Sequence, residues 1–138
     1  MKTRVLDSWA ILEWISGRQP ATALVAALLA ESAAGGARLL MSAINAGEVY
    51  YFLHKHHDQK LAQSWRDSAP ILPVMIQAPT VDEIWEAALL KARYPIAYAD
   101  AFGAALALRY RCPLVTGDPE LRHIEHLELD WIDRPRRH

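Results

Sequence analysis

Short apolar segments alternate with segments of helical pattern along the whole of this 138-residue chain. Apolar runs of about four to eight residues that are bounded by turn residues are typical of buried strands. The runs that fit this description are residues 3–6, 37–42, 71–76, 113–117 and 127–132. The remaining segments predict helices that begin near Ser8, Ala21, Ala43, Asp58, Thr80 and Ala97. This alternation predicts an α/β fold around a mainly parallel sheet of four to five strands.

Local residue choices refine the ends and faces of these elements. Ser8 and Ser42 stand directly before apolar helical patterns and are predicted to be helix N-caps. Pro73 lies inside the third predicted strand and favours an edge position, because proline cannot donate a ladder hydrogen bond. The second helix is predicted to have its apolar stripe at Leu24, Ala27, Leu28 and Glu31.

Four carboxylates lie where the apolar segments meet the helices: Asp7, Glu48, Asp100 and Asp118. Asp7 and Asp118 directly follow the first and fourth predicted strands, so a parallel sheet places both at one edge. Burying an ionised carboxylate without a partner costs several kcal/mol or more. Converging carboxylates also repel and raise one another's pKa values. A bound divalent cation is the simplest way to stabilise such a cluster.

Composition narrows the class of protein. An apolar fraction of 52% with 22% charged residues indicates a globular chain. We expect a single domain over residues 1–133, followed by a basic tail at 134–138. The only cysteine, Cys112, excludes an intrachain disulfide. The uncharged run QPATALVAALLA is about half as long as a membrane span, so a cytoplasmic protein is expected. A net charge of −1 disfavours a stable nucleic-acid binder but not a nuclease.

Four phrases, taken in order, carry a family resemblance. They are VLDSWAILEW, NAGEVYYFL, YADAFGAALA and VTGDPEL. Together they resemble the motifs of PIN-domain nucleases, and most closely those of VapC-type toxins from bacterial toxin–antitoxin pairs. The resemblance runs from Val5 to about Trp131 and implies a three-layer α/β/α domain. It also implies an endoribonuclease that uses Mg²⁺ or Mn²⁺ and acts as the toxin of such a pair.

The resemblance assigns roles to individual residues. Asp7, Glu48, Asp100 and Asp118 match the family's catalytic acids. Asp7, Asp100 and Asp118 are the expected metal ligands, and Glu48 is either a ligand or the group that orients the attacking water. Ser8, Asn45 and Thr116 match polar positions that assist the site. Glu120, beside the turn of Asp118, is either a helix N-terminal charge or a further acid that supports the metal site.

Partners are implied in the same way. In VapC-like proteins the first helices and the third often form a homodimer and a groove for the antitoxin, and a basic residue of the antitoxin could enter the acidic cleft. One departure from the family is Ala97, which stands where many members carry Ser or Thr three residues before the third acid. Sequence does not select among tRNA, ribosomal RNA and mRNA as substrate.

Two other functions remain open at this point. One is a catalytically silent PIN-like module that binds RNA or protein, although the presence of all four acids argues against it. The other is phosphoryl transfer at a carboxylate-rich α/β site. Such enzymes usually place a Lys after a later strand, and Gly117-Asp118 stands there instead. The histidines of HKHH, at positions 54, 56 and 57, are interpreted as a solvated helix end.

Overall fold

A computed structural model of the chain describes residues 2–132. The predicted basic tail at 134–138 and the predicted domain boundary at residue 133 lie outside the described residues. Within this part of the chain, no helix is both long enough and apolar enough to cross a membrane.

Five parallel strands form the central sheet, in the spatial order β3-β2-β1-β4-β5. Their bounds are β1 Lys2–Leu6, β2 Ala37–Ser42, β3 Met75–Gln77, β4 Leu114–Thr116 and β5 Leu129–Trp131. All four strand pairings are parallel. The chain adds β2 and β3 on one side of β1 and then returns to add β4 and β5 on the other. The topological switch point therefore lies between β1 and β4.

Six helices connect and cover the strands: α1 Ser8–Ser16, α2 Ala21–Ala33, α3 Ala43–His56, α4 Gln59–Ser68, α5 Val81–Arg93 and α6 Tyr98–Tyr110. Two short 3-10 helices, Ala69–Ile71 and Pro119–His123, complete the described elements. The predicted three-layer α/β/α fold with a mainly parallel sheet is confirmed.

Alternating residues of each strand serve two separate cores. Leu6 and Val115 face the core that α1 to α4 build on one side of the sheet. Val5 and Leu114 face the core that α5 and α6 build on the other side. This division follows from the two-residue period of a strand, which sends successive side chains to opposite faces. Both faces of the sheet are therefore covered by helices and buried, as is usual for parallel sheets.

Three sequence predictions differ from the structure in detail. The N-cap of α1 is Asp7 and not Ser8, because the carboxylate of Asp7 accepts the Ala10 N–H. β3 is confined to Met75–Gln77, since Pro70 and Pro73 interrupt the preceding apolar run, although its predicted edge position is confirmed. The buried stripe of α2 is Ala21, Val25 and Leu29, whereas Leu24 is 45% exposed.

Candidate metal centre

The site is organised by the pairing of β1 with β4. The register joins Val5 to Leu114 and Leu6 to Val115, so both strands end at the same level. Asp7 and Asp118 follow these ends by one and two residues, respectively. The switch point thus brings the first and fourth predicted acids to one edge of the sheet, which is where ligands bind in open α/β folds.

Asp7 is the most deeply buried of the acids, at 1% exposure. Its Oδ1 accepts the Ala10 N–H at 2.9 Å, whereas Oδ2 has no hydrogen-bond partner among the described residues. Burial raises the pKa of Asp7 to about 7, and the charges of Asp118 and Glu48 add to the increase. Hydrogen bonds from the Thr116 hydroxyl and the Ala10 N–H lower it in part.

Thr116 connects Asp7 to Asp118. Its buried hydroxyl oxygen accepts the Asp118 N–H at 3.0 Å, and the same hydroxyl stabilises the charged form of Asp7. Asp118 in turn accepts the Glu120 N–H through Oδ1 at 3.0 Å and begins the 3-10 helix Pro119–His123. The hydroxyl therefore joins the two acids in one hydrogen-bond network. Sequence predicted only that Thr116 is a polar residue that assists the site.

Asp100 enters the site from the first turn of α6. Burial raises its pKa to about 8, and the charge of Asp118 and a hydrogen bond with it are the next causes. Oxygen atoms of Asp100, Asp118 and Glu120 all lie within 4.8 Å of one another. Glu120 thus belongs to the tightest group of acids. Asp7 is not part of that group, but its charge contributes to the raised pKa of Asp100.

Glu48 reaches the cleft from α3, and Ser8 positions it. The Ser8 hydroxyl donates a hydrogen bond to Glu48 Oε1. Ser8 is the first residue of α1 and Glu48 is in the second turn of α3, so this bond connects two helices that follow different strands. Ser8 therefore does not cap α1 as predicted but contacts a second acid.

Asn45 fixes the separation of α3 and α6. It is fully buried, and its Nδ2 donates to the Ala99 carbonyl at 2.9 Å, immediately before Asp100. Its Oδ1 has no hydrogen-bond partner among residues 2–132 and faces Gly103. A Cβ at Gly103 would lie 3.1 Å from this oxygen and 3.7 Å from Asp7 Cβ. Sequence reasoning missed Gly103, and the run of small residues around it was the available signal.

A cleft of about 650 Å³ is lined by Glu48, Asp100 and Asp118. The rest of its wall is mostly apolar and comes from α1, α3 and the start of α4. The apolar lining residues are Trp9, Leu12, Ile15, Tyr51, Phe52, Leu53 and Leu61. His57, one of the HKHH histidines, and Arg18 also line this cleft. A single cavity therefore joins a cluster of acids to an extended apolar wall.

The donor set fits a hard divalent cation. It consists of carboxylate oxygens, and Mg²⁺ and Mn²⁺ prefer such ligands. The buried Oδ2 of Asp7, which has no hydrogen-bond partner in residues 2–132, is an oxygen that a cation would satisfy. Burial, followed by repulsion from the neighbouring acids, raises the pKa values of Asp7 and Asp100 to about 7 and 8. A bound positive charge would stabilise the ionised form of both groups.

Fold and site together define an α/β domain with a carboxylate cluster at its topological switch point. The PIN domain family matches residues 4–127, which is most of the chain. The chain belongs to the PIN domain family. The resemblance inferred from the four acidic phrases is thereby confirmed.

Solved structures of toxin–antitoxin proteins share this fold. The VapBC2 complex of Rickettsia felis, bound to a promoter DNA fragment, matches with a TM-score of 0.74 at 19% identity, over 95% of this chain and 99% of that one. DNA-bound VapBC of Salmonella typhimurium matches with a TM-score of 0.73 at 14% identity, over 96% and 100%.

A third structure is VapC20 of Mycobacterium tuberculosis, a toxin that cleaves the sarcin–ricin loop. It matches with a TM-score of 0.70 at 13% identity, over 91% of this chain and 98% of that one. These identities show a common fold and not a common substrate. No curated relative was found by sequence.

The raised pKa of Asp7 predicts how stability depends on pH. The native carboxyl binds its proton more tightly than the unfolded one, so without metal the free energy of unfolding falls as pH rises from about 4 to about 7. The rise of the Asp7 pKa from 3.8 to about 7 corresponds to a loss of roughly 4 kcal/mol, at most, in the free energy of unfolding. Asp7→Asn should flatten this fall, as measured by thermal unfolding in EDTA between pH 5 and 8. Asp67→Asn, on an exposed part of α4, is the control, and equal slopes for both variants would contradict the assignment.

The close approach at Gly103 predicts a contrast between two glycines. Gly103→Ala forces a methyl group against Asn45 and should destabilise the fold by about 1–3 kcal/mol. Gly47→Ala, in α3 with no atom within 4 Å of the added Cβ, should stabilise it by about 0.5–1 kcal/mol. Chemical denaturation would measure both, and Mn²⁺ titration should show weaker binding only for Gly103→Ala. A neutral Gly103→Ala variant would mean that Asn45 can move freely.

Proposed function

We propose that this protein is a Mg²⁺- or Mn²⁺-dependent endoribonuclease and the toxin of a type II toxin–antitoxin pair. The observation that carries the proposal is the convergence of Asp7, Asp100 and Asp118 at the β1–β4 switch point of a PIN domain. RNA as the substrate class is supported by VapC20, a toxin of the same fold that cleaves the sarcin–ricin loop.

Asp7, Asp100 and Asp118 are the proposed metal ligands, with Glu120 close to the last two. When bound, the cation would neutralise charge on the scissile phosphate and acidify a water molecule. The protein's own contribution is to hold these oxygens in place before substrate arrives. The Thr116 hydroxyl accepts the main-chain N–H of Asp118 and so positions this acid. Asp7 is held by the hydrogen bond that its Oδ1 accepts from the Ala10 N–H at the start of α1. Asn45 holds the start of α6, from which Asp100 projects.

Glu48 is proposed to orient the attacking water. Its Oε1 is engaged by the Ser8 hydroxyl, which leaves Oε2 as the oxygen that can accept a proton from water. Glu48 lines the same cleft as Asp100 and Asp118, so the water would lie between the acids. In-line attack on a phosphodiester then gives two RNA fragments and consumes one water molecule.

The two alternative functions, a silent binding module and a phosphoryl-transfer enzyme, have less support than the ribonuclease. A silent binding module would not need a buried Asp7 and a half-buried Asp100 whose pKa values are raised to about 7 and 8, since burying such acids without a cation is unfavourable. For phosphoryl transfer through Asp7 as a nucleophile, its side chain should be accessible to phosphate. Asp7 is only 1% exposed and caps α1, which fits a metal ligand better than a phosphate acceptor.

A cognate antitoxin is the proposed protein partner, and the apolar wall of the cleft is its proposed binding site. VapBC structures of the same fold contain toxin and antitoxin together. Tyr51 in this wall is 56% exposed, and burying it with Leu12 and Phe52 would remove apolar surface from water. The groove leads to the acids, so a basic side chain of the antitoxin could occupy the cation's position.

A homodimer and a cytoplasmic location also remain proposals. α5 exposes Val81, Trp85 and Leu89 at 68%, 70% and 50%, respectively. A spacing of four residues puts these side chains on one face of the helix, away from the cleft helices α1 and α3. This face is our candidate for the contact with a second copy.

RNA cleavage tests the proposed function directly. Purified protein with total RNA and Mn²⁺ or Mg²⁺ should give discrete fragments that disappear in EDTA. Asp100→Asn should reduce the rate by at least about a hundredfold, because it removes a charged ligand and leaves the shape unchanged. Asp67→Asn should retain full activity. Cleavage by a folded Asp100→Asn protein at the wild-type rate would overturn the assignment.

The proposed antitoxin groove is tested by Tyr51→Glu. A charge in the apolar wall should raise the concentration of antitoxin needed for half-inhibition at least about tenfold, because the carboxylate would have to be desolvated. Inhibition of RNA cleavage by the small protein encoded beside the toxin gene would measure this. Ile71→Glu, at a residue that is 83% exposed and outside the cleft, is the control. Equal inhibition of both variants would exclude this wall as the binding site.

A further inference from the structure

Trp131 lies at the same edge of the sheet as the acids. It is the last residue of β5 and pairs with Thr116, the residue whose hydroxyl connects Asp7 and Asp118. The Ile132 N–H donates to the Thr116 carbonyl at 3.2 Å, which holds the end of β5 against the end of β4. Neighbouring strands are about 4.8 Å apart, so Trp131 stands one strand away from the metal centre.

Arg122 packs on Trp131. It belongs to the 3-10 helix Pro119–His123, which begins immediately after Asp118. The guanidinium carbon of Arg122 lies 4.1 Å from the centre of the Trp131 ring, within the range of a cation–π contact. The indole fixes the planar guanidinium and leaves N–H groups at its edge available as donors.

The charge of Arg122 is not neutralised by an ion pair with any of the described residues. Within residues 2–132, the ion pairs of arginine involve Arg4, Arg18 and Arg109. Arg122 instead has an aromatic partner, four residues along the chain from Asp118. Fixing an arginine by stacking preserves its full charge for an external anion, whereas an ion pair would compensate it.

An acidic centre needs such a cation if its substrate is a polyanion. Five carboxylates surround or adjoin the metal centre, namely Asp7, Glu48, Asp100, Asp118 and Glu120. They repel RNA phosphates, and the whole chain has a net charge of −1. A phosphate next to the scissile one therefore requires a positive group on the rim. Arginine donates two parallel hydrogen bonds to phosphate, which also sets the direction of the strand.

We propose that Arg122, held by Trp131, binds an RNA phosphate adjacent to the scissile phosphodiester, on the β5 side of the metal centre. The inference rests on the proposed ribonuclease function and adds the direction in which the substrate strand leaves the site.

The test compares Arg122→Gln with Arg111→Gln. Arg111 is exposed and precedes β4, at the opposite edge of the sheet from the acids. Steady-state cleavage of a short RNA that contains the mapped cut site should show a KM at least about tenfold higher for Arg122→Gln, with kcat within about twofold of wild type. Losing one phosphate contact should also lower the slope of log binding constant against log salt by about 0.7. Arg111→Gln should change neither quantity.

Arg122→Lys provides a second readout. Lysine keeps the charge but loses the planar fork and most of the stacking, so its KM should lie between those of wild type and Arg122→Gln. A fall in kcat with unchanged KM would overturn the proposal, because it would indicate a structural role. An effect confined to antitoxin inhibition would also overturn it and assign Arg122 to the protein interface.

RNA binding without cleavage separates this inference from the proposed function. Filter binding of the same RNA with Ca²⁺ replacing Mn²⁺ requires no hydrolysis. Weaker binding by Arg122→Gln than by Arg111→Gln would support the phosphate contact even if no RNA were cleaved by wild type. Equal binding by the two variants, together with normal wild-type cleavage, would reject Arg122 as a phosphate contact and leave the ribonuclease assignment intact.

Discussion

The burial and mutual repulsion of carboxylates at the β1–β4 switch point are the constraint on which the rest of the structure depends. Asp7 is buried because β4 and α6 cover it, and its second oxygen has no partner in the described part of the chain. The Thr116 hydroxyl and the N-terminal turn of α1 offset only part of the cost of this burial. The remaining charge must be met by protons or by a cation. The divalent ion that we propose for this site would stabilise the ionised form of these acids.

Apolar packing sets the geometry of these charges. α6 consists largely of small residues, and the absence of a side chain at Gly103 lets it approach Asn45 and Asp7 closely. That approach brings Asp100 to the edge formed by β1 and β4. Asn45 connects α3 to the start of α6 by one hydrogen bond. The Ser8 hydroxyl connects α1 to Glu48 of α3 by another. Acids from four separate segments become one site because neutral contacts hold the segments together.

The cleft combines two kinds of surface that suit different ligands. Its acids suit a cation, and only through that cation a phosphodiester, whereas the apolar wall of α1 and α3 suits a hydrophobic peptide. Because both surfaces line one cavity, a protein bound along the wall would also control access to the acids. Arg122, stacked on Trp131 at the end of β5, is the positive group that we propose for the substrate strand. Substrate and protein partner would therefore approach from different directions.

Sequence by itself determined the α/β class and the parallel sheet, and it singled out four acids as candidates for the site, because strand and helix periods and strand-end positions are local properties. It also predicted the edge position of β3 from Pro73. Only the tertiary structure decided that Asp7 caps α1, that Ser8 serves Glu48, and that Glu120 joins Asp100 and Asp118. It alone showed the stack of Arg122 on Trp131 and the close approach at Gly103. These features depend on contacts between segments far apart in the chain, and the direction of a side chain across such a contact has no local signature.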